Sequence, residues 1–430
     1  MEQKALNKWI TVGIWILMLF IYIPVPAFVG TAIASLLFLL SLFSMNNDSR
    51  GFALMCFSAP VFAALFVLLH IPFTAYILCI VFGLYFLRNS IQFRLNSDGK
   101  VLIGFAILVA IFLLSFIYGP QHAYSKSKLM DIIIIGAVSI LYWKVFMESS
   151  NIEIEKLAQF LCLIALFHMF FAFDFYHLSR PEGLFDFNFF RNSYVLAVKE
   201  TDMIMDYHAL GVSAMMGIAF MLSSSKLSQL KSKWNVLLWL PMILILLISQ
   251  ARQAIFGTVL LLFIRIFLDA DFSFNKKSIY AIGIFLGAVV LIGVVQSDAI
   301  EKSLQATSLE ASLNRDYSRS FDIISESPFF GKGVGGYSIT GERQYPHNFL
   351  LELLCELGVI GTAIVLLFVF VPVLLNFKCL KRITPSHFYL FPLLGAVFIR
   401  YMMSSDLSQS IVLFTGFLVL TNSEQKAADL

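Results

Sequence analysis

Residues 101–118 read VLIGFAILVAIFLLSFIY, an apolar run with no charge and no proline. As a helix rising about 1.5 Å per residue it extends roughly 27 Å, close to the ~30 Å hydrocarbon core of a bilayer. Further apolar runs fill the chain near 9–23, 27–44, 52–69, 71–88, 131–147, 157–178, 204–223, 235–249, 253–268, 279–295, 349–375, 388–402 and 407–420. Several fall short of the ~20 residues that cross comfortably, so the pairs within 9–44 and 235–268 each read as a re-entrant hairpin or as one long tilted helix. The prediction is an all-α polytopic integral membrane protein, one membrane domain over 1–430, with about 12 to 14 transmembrane helices.

Composition points the same way. Of 430 residues, 59% are apolar and 13% charged, where a soluble domain carries roughly a quarter charged, and the mean hydropathy is +0.84. A soluble globule is excluded. The net charge of +3, with no dense Lys/Arg tract, is too small to suggest a nucleic-acid partner, and none is expected. Cys56, Cys79, Cys162, Cys355 and Cys379 sit in or at the ends of apolar runs with no CxxC pair, so neither a disulfide framework nor a zinc site is expected. Met1–Lys8 and the run from Trp9 read as an uncleaved first span. Internal repeats, low-complexity tracts and a soluble domain are absent from the sequence.

Orientation follows from the short loops, because Lys and Arg near span ends stay on the cytoplasmic side. With the N-terminus inside, cytoplasmic segments hold Lys4, Lys8, Arg88, Arg94, Lys226 and Lys231, among others, and the opposite short loops hold little beyond Lys126 and Lys128. Both termini are then inside. Two polar stretches fall outside: a first extracytoplasmic loop at 179–202 and a large one at 296–346, and the 249–252 turn faces outward as well.

The candidate chemistry sits in those segments. Gly331, Gly333 and Gly336 in GKGVGG fit GxGxxG, but with no βαβ unit they do not make a dinucleotide site. They read as a sharp bend that lets backbone approach a bulky substrate. Arg180 in LSRPEG, Arg252 in ISQARQA, and Arg315 and Arg319 in LNRDYSRS stand at the outer face, Arg252 between two apolar halves where the positive-inside pattern disfavours a cation. Each one alone reads as a snorkelling anchor. Converging, they would form a diphosphate clamp, since a guanidinium offers a planar fork of donors suited to phosphate oxygens.

His347, in QYPHNFLLELLCELGVIGTAI, lies where the large loop meets a long apolar helix that Pro346 is expected to start. Its near-neutral pKa suits a general base toward a sugar hydroxyl, against the plainer reading of an interfacial histidine. Glu352 and Glu356, four apart, share a helix face; Glu352 either orients the histidine or satisfies a polar cavity. Gly358 and Gly361 suit close helix packing. Arg400 and Asp406 bracket the last turn as a local ion pair.

Taken together these segments resemble the bacterial O-antigen polymerase and O-antigen ligase superfamily. His347-Asn348, nine residues, then Gly358-Val-Ile-Gly361 fits its H-[N/S/Q]-x9-G-x-x-G signature at every fixed position. SRSFDIISESPFFGKGVGGY is similar to its arginine and amphipathic stretch leading into P-x-x-G-x-G, and SQAR at 249–252 to its S-x-x-R. The resemblance covers roughly residues 180–376. It implies glycan transfer from an undecaprenyl diphosphate carrier to an acceptor hydroxyl on the periplasmic face of the bacterial inner membrane, without cofactor or metal.

Carried across, the catalytic residues are His347 as base with Arg180 and Arg252 on the diphosphate. Arg315, Arg319, Asn348, Arg191, Glu352 and Asp406 would bind substrate. FDFNFFRNS departs from the family's Asn-Pro-Asn-like segment, which leaves Arg180 and Arg191 as alternatives. Expected partners are the undecaprenyl diphosphate-linked oligosaccharide, membrane lipids and a chain-length regulator protein. The acceptor is a second lipid-linked repeat for a polymerase, the favoured reading, and lipid A core for a ligase. A lipid-linked oligosaccharide flippase is the reading from another class, disfavoured because the halves are unalike and the polar residues cluster toward one face.

Overall fold

The computed structural model describes residues 3–23, 25–68, 75–89, 95–148, 152–183, 186–187, 189–190, 207–222, 233–268, 275, 278–284, 287, 317–340, 344–375, 395–398, 402 and 406–422. Among them every regular element is helical. In order these are α1 (Gln3–Tyr22), α2 (Ala27–Ser44), α3 (Asn47–Phe57), α4 (Ala59–Leu68), α5 (Ala75–Leu87), α6 (Leu95–Tyr118), α7 (Ala123–Glu148) and α8 (Ile154–Phe175). Then come α9 (Tyr207–Leu222), α10 (Lys233–Ser249), α11 (Arg252–Leu268), α12 (Arg319–Glu326), a 3-10 turn (Gly336–Thr340), α13 (Phe349–Leu375) and α14 (Leu407–Asn422).

This is a helical membrane protein. Among the described residues four helices are long and apolar enough to cross a bilayer: Ala5–Tyr22, Gly99–Tyr118, Ile154–Phe175 and Phe349–Val369. The run expected as one span at 52–69 is broken at Ser58 into α3 and α4, bent by 65°, and the pair counts as a fifth span if taken together. Within 9–44 the chain forms two helices, with Gly13 of α1 against Leu37 of α2. Within 235–268 it also forms two, because Gln250 takes a left-handed φ of 51° and interrupts the helix. The runs expected at 279–295 and 388–402 lie largely outside the described residues, as do 191–202 and 296–316 of the two expected loops. The described part of the larger loop is folded, carrying α12 and the 3-10 turn.

The helices form two compact units, each assembled from separate stretches of chain. The first comprises 1–90, 149–296 and 385–396; the second comprises 91–148, 297–384 and 397–430.

In the first unit α8 is the centre, with α1, α2, α9 and α10 packed around it. Its sequence is apolar over most of its surface, which suits a helix with no solvent face, and every residue from Lys156 to Phe173 is buried, the polar Lys156, Gln159 and His168 included. Phenylalanines supply much of the filling: Phe167 stacks on Phe171 with centroids 5.9 Å apart, and Phe38 of α2 stacks on Phe160 at 4.8 Å. Arg50 closes the C-terminus of α2 by donating to the carbonyls of Leu42 (3.0 Å), Phe43 (2.8 Å) and Met45 (2.7 Å). A cation there satisfies orphan acceptors and complements the helix dipole.

In the second unit α7 packs on α14 and α6, and α13 packs on α14 and α6. Small and polar residues set the spacing. Gly136 of α7 admits the ring of Phe105, Ser139 Oγ meets Thr415 Oγ1 at 2.6 Å, and Trp143 donates to the Val412 carbonyl at 2.8 Å.

The tightest glycine contact in the α8 core generates a test. A Cβ on Gly30 would lie 2.1 Å from the Phe170 ring. Gly30→Val is expected to destabilise the first unit by about 1–3 kcal/mol through overpacking, read as a lower thermal unfolding midpoint of the purified protein.

Candidate functional site

The second unit builds the start of α13 with care. Asn348 is its N-cap: the side-chain oxygen accepts from the backbone N–H groups of Leu350 (3.0 Å) and Leu351 (3.2 Å), and the Asn348 carbonyl accepts from Glu352 N–H at 3.0 Å. Two donors that a helix leaves orphaned are thereby satisfied. The asparagine expected at the substrate thus caps the helix, and Pro346, expected to open it, lies two residues outside the cap. Between them His347 takes a left-handed φ of 56°, a region costly for a non-glycine residue. Its imidazole is half-buried, with the Tyr345 ring 4.7 Å away between centroids.

Ten residues after Asn348, α13 breaks. Gly358 has φ 65° and ψ −174°, which ends one helical segment and starts another. The backbone groups released there pair with the glycine loop: Lys332 N–H donates to Cys355 O (2.8 Å), Gly333 N–H to Glu356 O (2.9 Å), Val359 N–H to Pro328 O (2.8 Å) and Ile360 N–H to Phe329 O (3.2 Å). The approach is so close that a Cβ on Gly358 would lie 2.4 Å from the Phe329 carbonyl, and one on Gly331 2.5 Å from Glu356 backbone.

Gly331, Gly333 and Gly335 all have positive φ. The glycine bend expected to admit a bulky substrate is therefore filled by the protein: Gly331 meets α13, Gly333 meets Gly119, and Gly335 meets His122 and Ser125. The helix-packing role expected for Gly358 and Gly361 is corrected in the same way. Gly358 serves a loop against a break, and the nearest atoms to a Cβ on Gly361 belong to Leu357 of its own helix.

Beneath this contact lies a buried ion network. Lys128 Nζ of α7 bonds both Glu352 Oε1 and Glu356 Oε1 of α13, and all three side chains are fully buried. Glu356 Oε1 also accepts from Gly335 N–H at 2.9 Å. One ammonium therefore ties two turns of α13 to α7 and, through Glu356, to the glycine loop. Nearby, the Tyr124 hydroxyl donates to Asp406 Oδ2 at 2.7 Å, and Asp406 Oδ1 accepts from Ser408 N–H at the start of α14. Sequence reasoning passed over Lys128 as a loop residue. The signal was there: it breaks the positive-inside pattern, and two glutamates at i and i+4 in an apolar helix need a cation.

The remaining candidates fall as follows. Arg319 lies over the Tyr337 ring, 4.5 Å from its centroid, and donates to the Tyr337 carbonyl, so it fastens α12 to the 3-10 turn. Arg180, in the first unit, donates to the carbonyls of Phe20 (2.9 Å) in the last turn of α1 and of Ile23 and Val25 (2.6 Å) just past its end. Three of its five donors are engaged there. Burial lowers its pKa from the usual arginine value and nearby Asp174 partly restores it. Arg252, also in the first unit, is the first residue of α11, next to the buried Ser249, Gln250 and Gln253. Its side chain, with Arg191, Arg315 and Arg400, lies outside the described residues. Among the described residues three non-glycine positions have positive φ: His177, Gln250 and His347. Each falls in or beside a motif singled out above, and strain of this kind gathers at functional sites.

Residues 236–366, which run from α10 through the glycine loop to the middle of α13, match the family model of the O-antigen ligases. The likeness covers under a third of the chain and is to the O-antigen ligase family over that segment. No curated protein and no solved structure matches the chain. Members of the O-antigen ligase family are glycosyltransferase-like enzymes. The family segment includes Arg252, His347, Glu352 and Gly358, whereas Lys128, Arg180 and Asp406 lie outside it.

Two mutational outcomes follow from the network. Lys128→Met leaves two buried carboxylates without their cation and is expected to cost about 3–5 kcal/mol, seen as loss of folded protein from the membrane. Adding Glu352→Gln and Glu356→Gln to it removes the uncompensated charge and is expected to restore abundance. Gly358→Ala, strained at φ 65° and in collision with Phe329, is expected to lower the unfolding midpoint more than Gly361→Ala does.

Proposed function

We propose that this protein is a surface-polysaccharide polymerase of the O-antigen type. It transfers a glycan from an undecaprenyl diphosphate carrier to a hydroxyl of a second lipid-linked repeat unit, on the periplasmic face of the bacterial inner membrane. The observation that carries the reading is His347: a half-buried imidazole held in a strained conformation at the start of the helix that bears the rest of the family motif. A histidine can take up a proton near neutral pH.

In the proposed step His347 accepts the acceptor hydroxyl's proton as that oxygen forms a bond to the anomeric carbon. The bond from that carbon to the diphosphate oxygen breaks, and undecaprenyl diphosphate leaves. Arg180 and Arg252, with Arg191 and Arg315 as further cations, are assigned to the charge developing on the diphosphate. Those roles rest on residue type and motif. The diphosphate is its own energy source, so the scheme requires no nucleotide.

Ligation to lipid A core is the second reading, favoured by the matched family's own description. Donor chemistry is common to both and the acceptor differs. A gel of lipopolysaccharide from a deletion strain separates them: a single repeat on core identifies a polymerase, and core without repeats identifies a ligase. His347→Ala is expected to abolish long glycan while membrane abundance stays normal. A full ladder from that variant would overturn the assignment.

A further inference from the structure

The Pro328–Gly331 turn presents two phenylalanines outward, Phe329 63% and Phe330 65% exposed. An exposed turn in water needs no protein partner for its carbonyls, because solvent supplies donors. Here three successive carbonyls have protein donors: Pro328 O from Val359 N–H, Phe329 O from Ile360 N–H, and Phe330 O from the Tyr118 hydroxyl at 2.6 Å. Satisfied carbonyls beneath outward apolar side chains are the pattern required where water is absent.

Depth agrees. The turn packs on the Gly358 break, which lies inside the apolar window Phe349–Val369, about 14 Å along α13 from its start at 1.5 Å per residue. It also meets Tyr118, the last residue of the apolar window Gly99–Tyr118 of α6. Contact with the interior of one membrane helix and the end of another places the turn at the edge of the hydrocarbon layer. Its apolar surface continues onto outward residues of both helices, Leu114 and Ile117 on α6 and Val359 and Ile360 on α13.

We infer that Phe329 and Phe330 form a membrane-inserted aromatic turn whose partner is the acyl chains of the bilayer lipids. The stretch read from sequence as part of a wet loop dips into lipid, and the P-x-x-G-x-G motif is the device that lets it do so. Proline and glycines shape the bend, and the Gly358 break supplies the hydrogen bonds that lipid cannot.

The test uses the full-length protein, its five cysteines replaced by alanine, reconstituted in phosphatidylethanolamine and phosphatidylglycerol bilayers without polyprenyl lipid. Spin labels are placed at Phe330→Cys, at Ile117→Cys on α6, and at the exposed polar position Asp322→Cys on α12. The ratio of oxygen to nickel-chelate collision at 330 is expected to match that at 117. A ratio matching that at 322 would overturn the proposal. So would a lipid-like ratio that arises only after undecaprenyl phosphate is added, since the partner would then be the polyprenyl chain. Phe330→benzoylphenylalanine in the chain with native cysteines gives an independent reading: a phospholipid mass adduct after irradiation is expected, and its absence counts against insertion.

Discussion

A helix that breaks within a membrane releases backbone donors and acceptors that lipid cannot satisfy, so another piece of chain must meet them. In this protein the break at Gly358 is met by Pro328–Gly333, through four backbone hydrogen bonds made at separations that admit no side chain on Gly331 or Gly358. Two motifs far apart in sequence, P-x-x-G-x-G and G-x-x-G, are therefore the two sides of one contact. The left-handed glycines, the course of the chain from α12 to the 3-10 turn, and the outward Phe-Phe pair all follow from it.

The Lys128 network secures the same junction from below. Charges removed from water are costly, and an ammonium between two carboxylates is tolerated only when geometry and hydrogen bonding compensate. Here the compensation links three pieces of structure, since Glu352 and Glu356 belong to α13, Lys128 to α7 and the Gly335 N–H to the loop. An apolar core would have been less demanding, but it would not specify one register of helix against loop. Asn348 completes the arrangement by capping α13, so the chain just before it enters the helix along a defined path.

His347 is placed by that framework. It sits between a proline and the helix cap, with a backbone conformation that most residues avoid and an imidazole only half withdrawn from the surroundings. The proposed base role rests on this placement, because proton transfer depends on a fixed approach geometry. Two of the arginines singled out in the sequence have structural partners. Arg180 and Arg319 are fastened to backbone carbonyls and shape the chain around them, and two of Arg180's donors lie beyond its three carbonyl bonds.

Much of the fold could be read from sequence, because apolar runs of bilayer length leave the backbone no alternative to helix. The positions of α1, α6, α8 and α13 follow from that constraint, and the family segment could be recognised from His347-Asn348 and the spacing of Gly358 and Gly361. Tertiary structure decided what those residues touch. The division of 52–69 at Ser58, the use of the glycine bend against α13, the capping role of Asn348 and the burial of Lys128 each depend on specific partners, from two residues away for Asn348 to more than two hundred for Lys128, or on local backbone angles, and hydropathy carries neither. Composition determines where a chain must be helical in lipid; only packing determines which polar groups meet, because an interaction between distant residues leaves no period in the sequence.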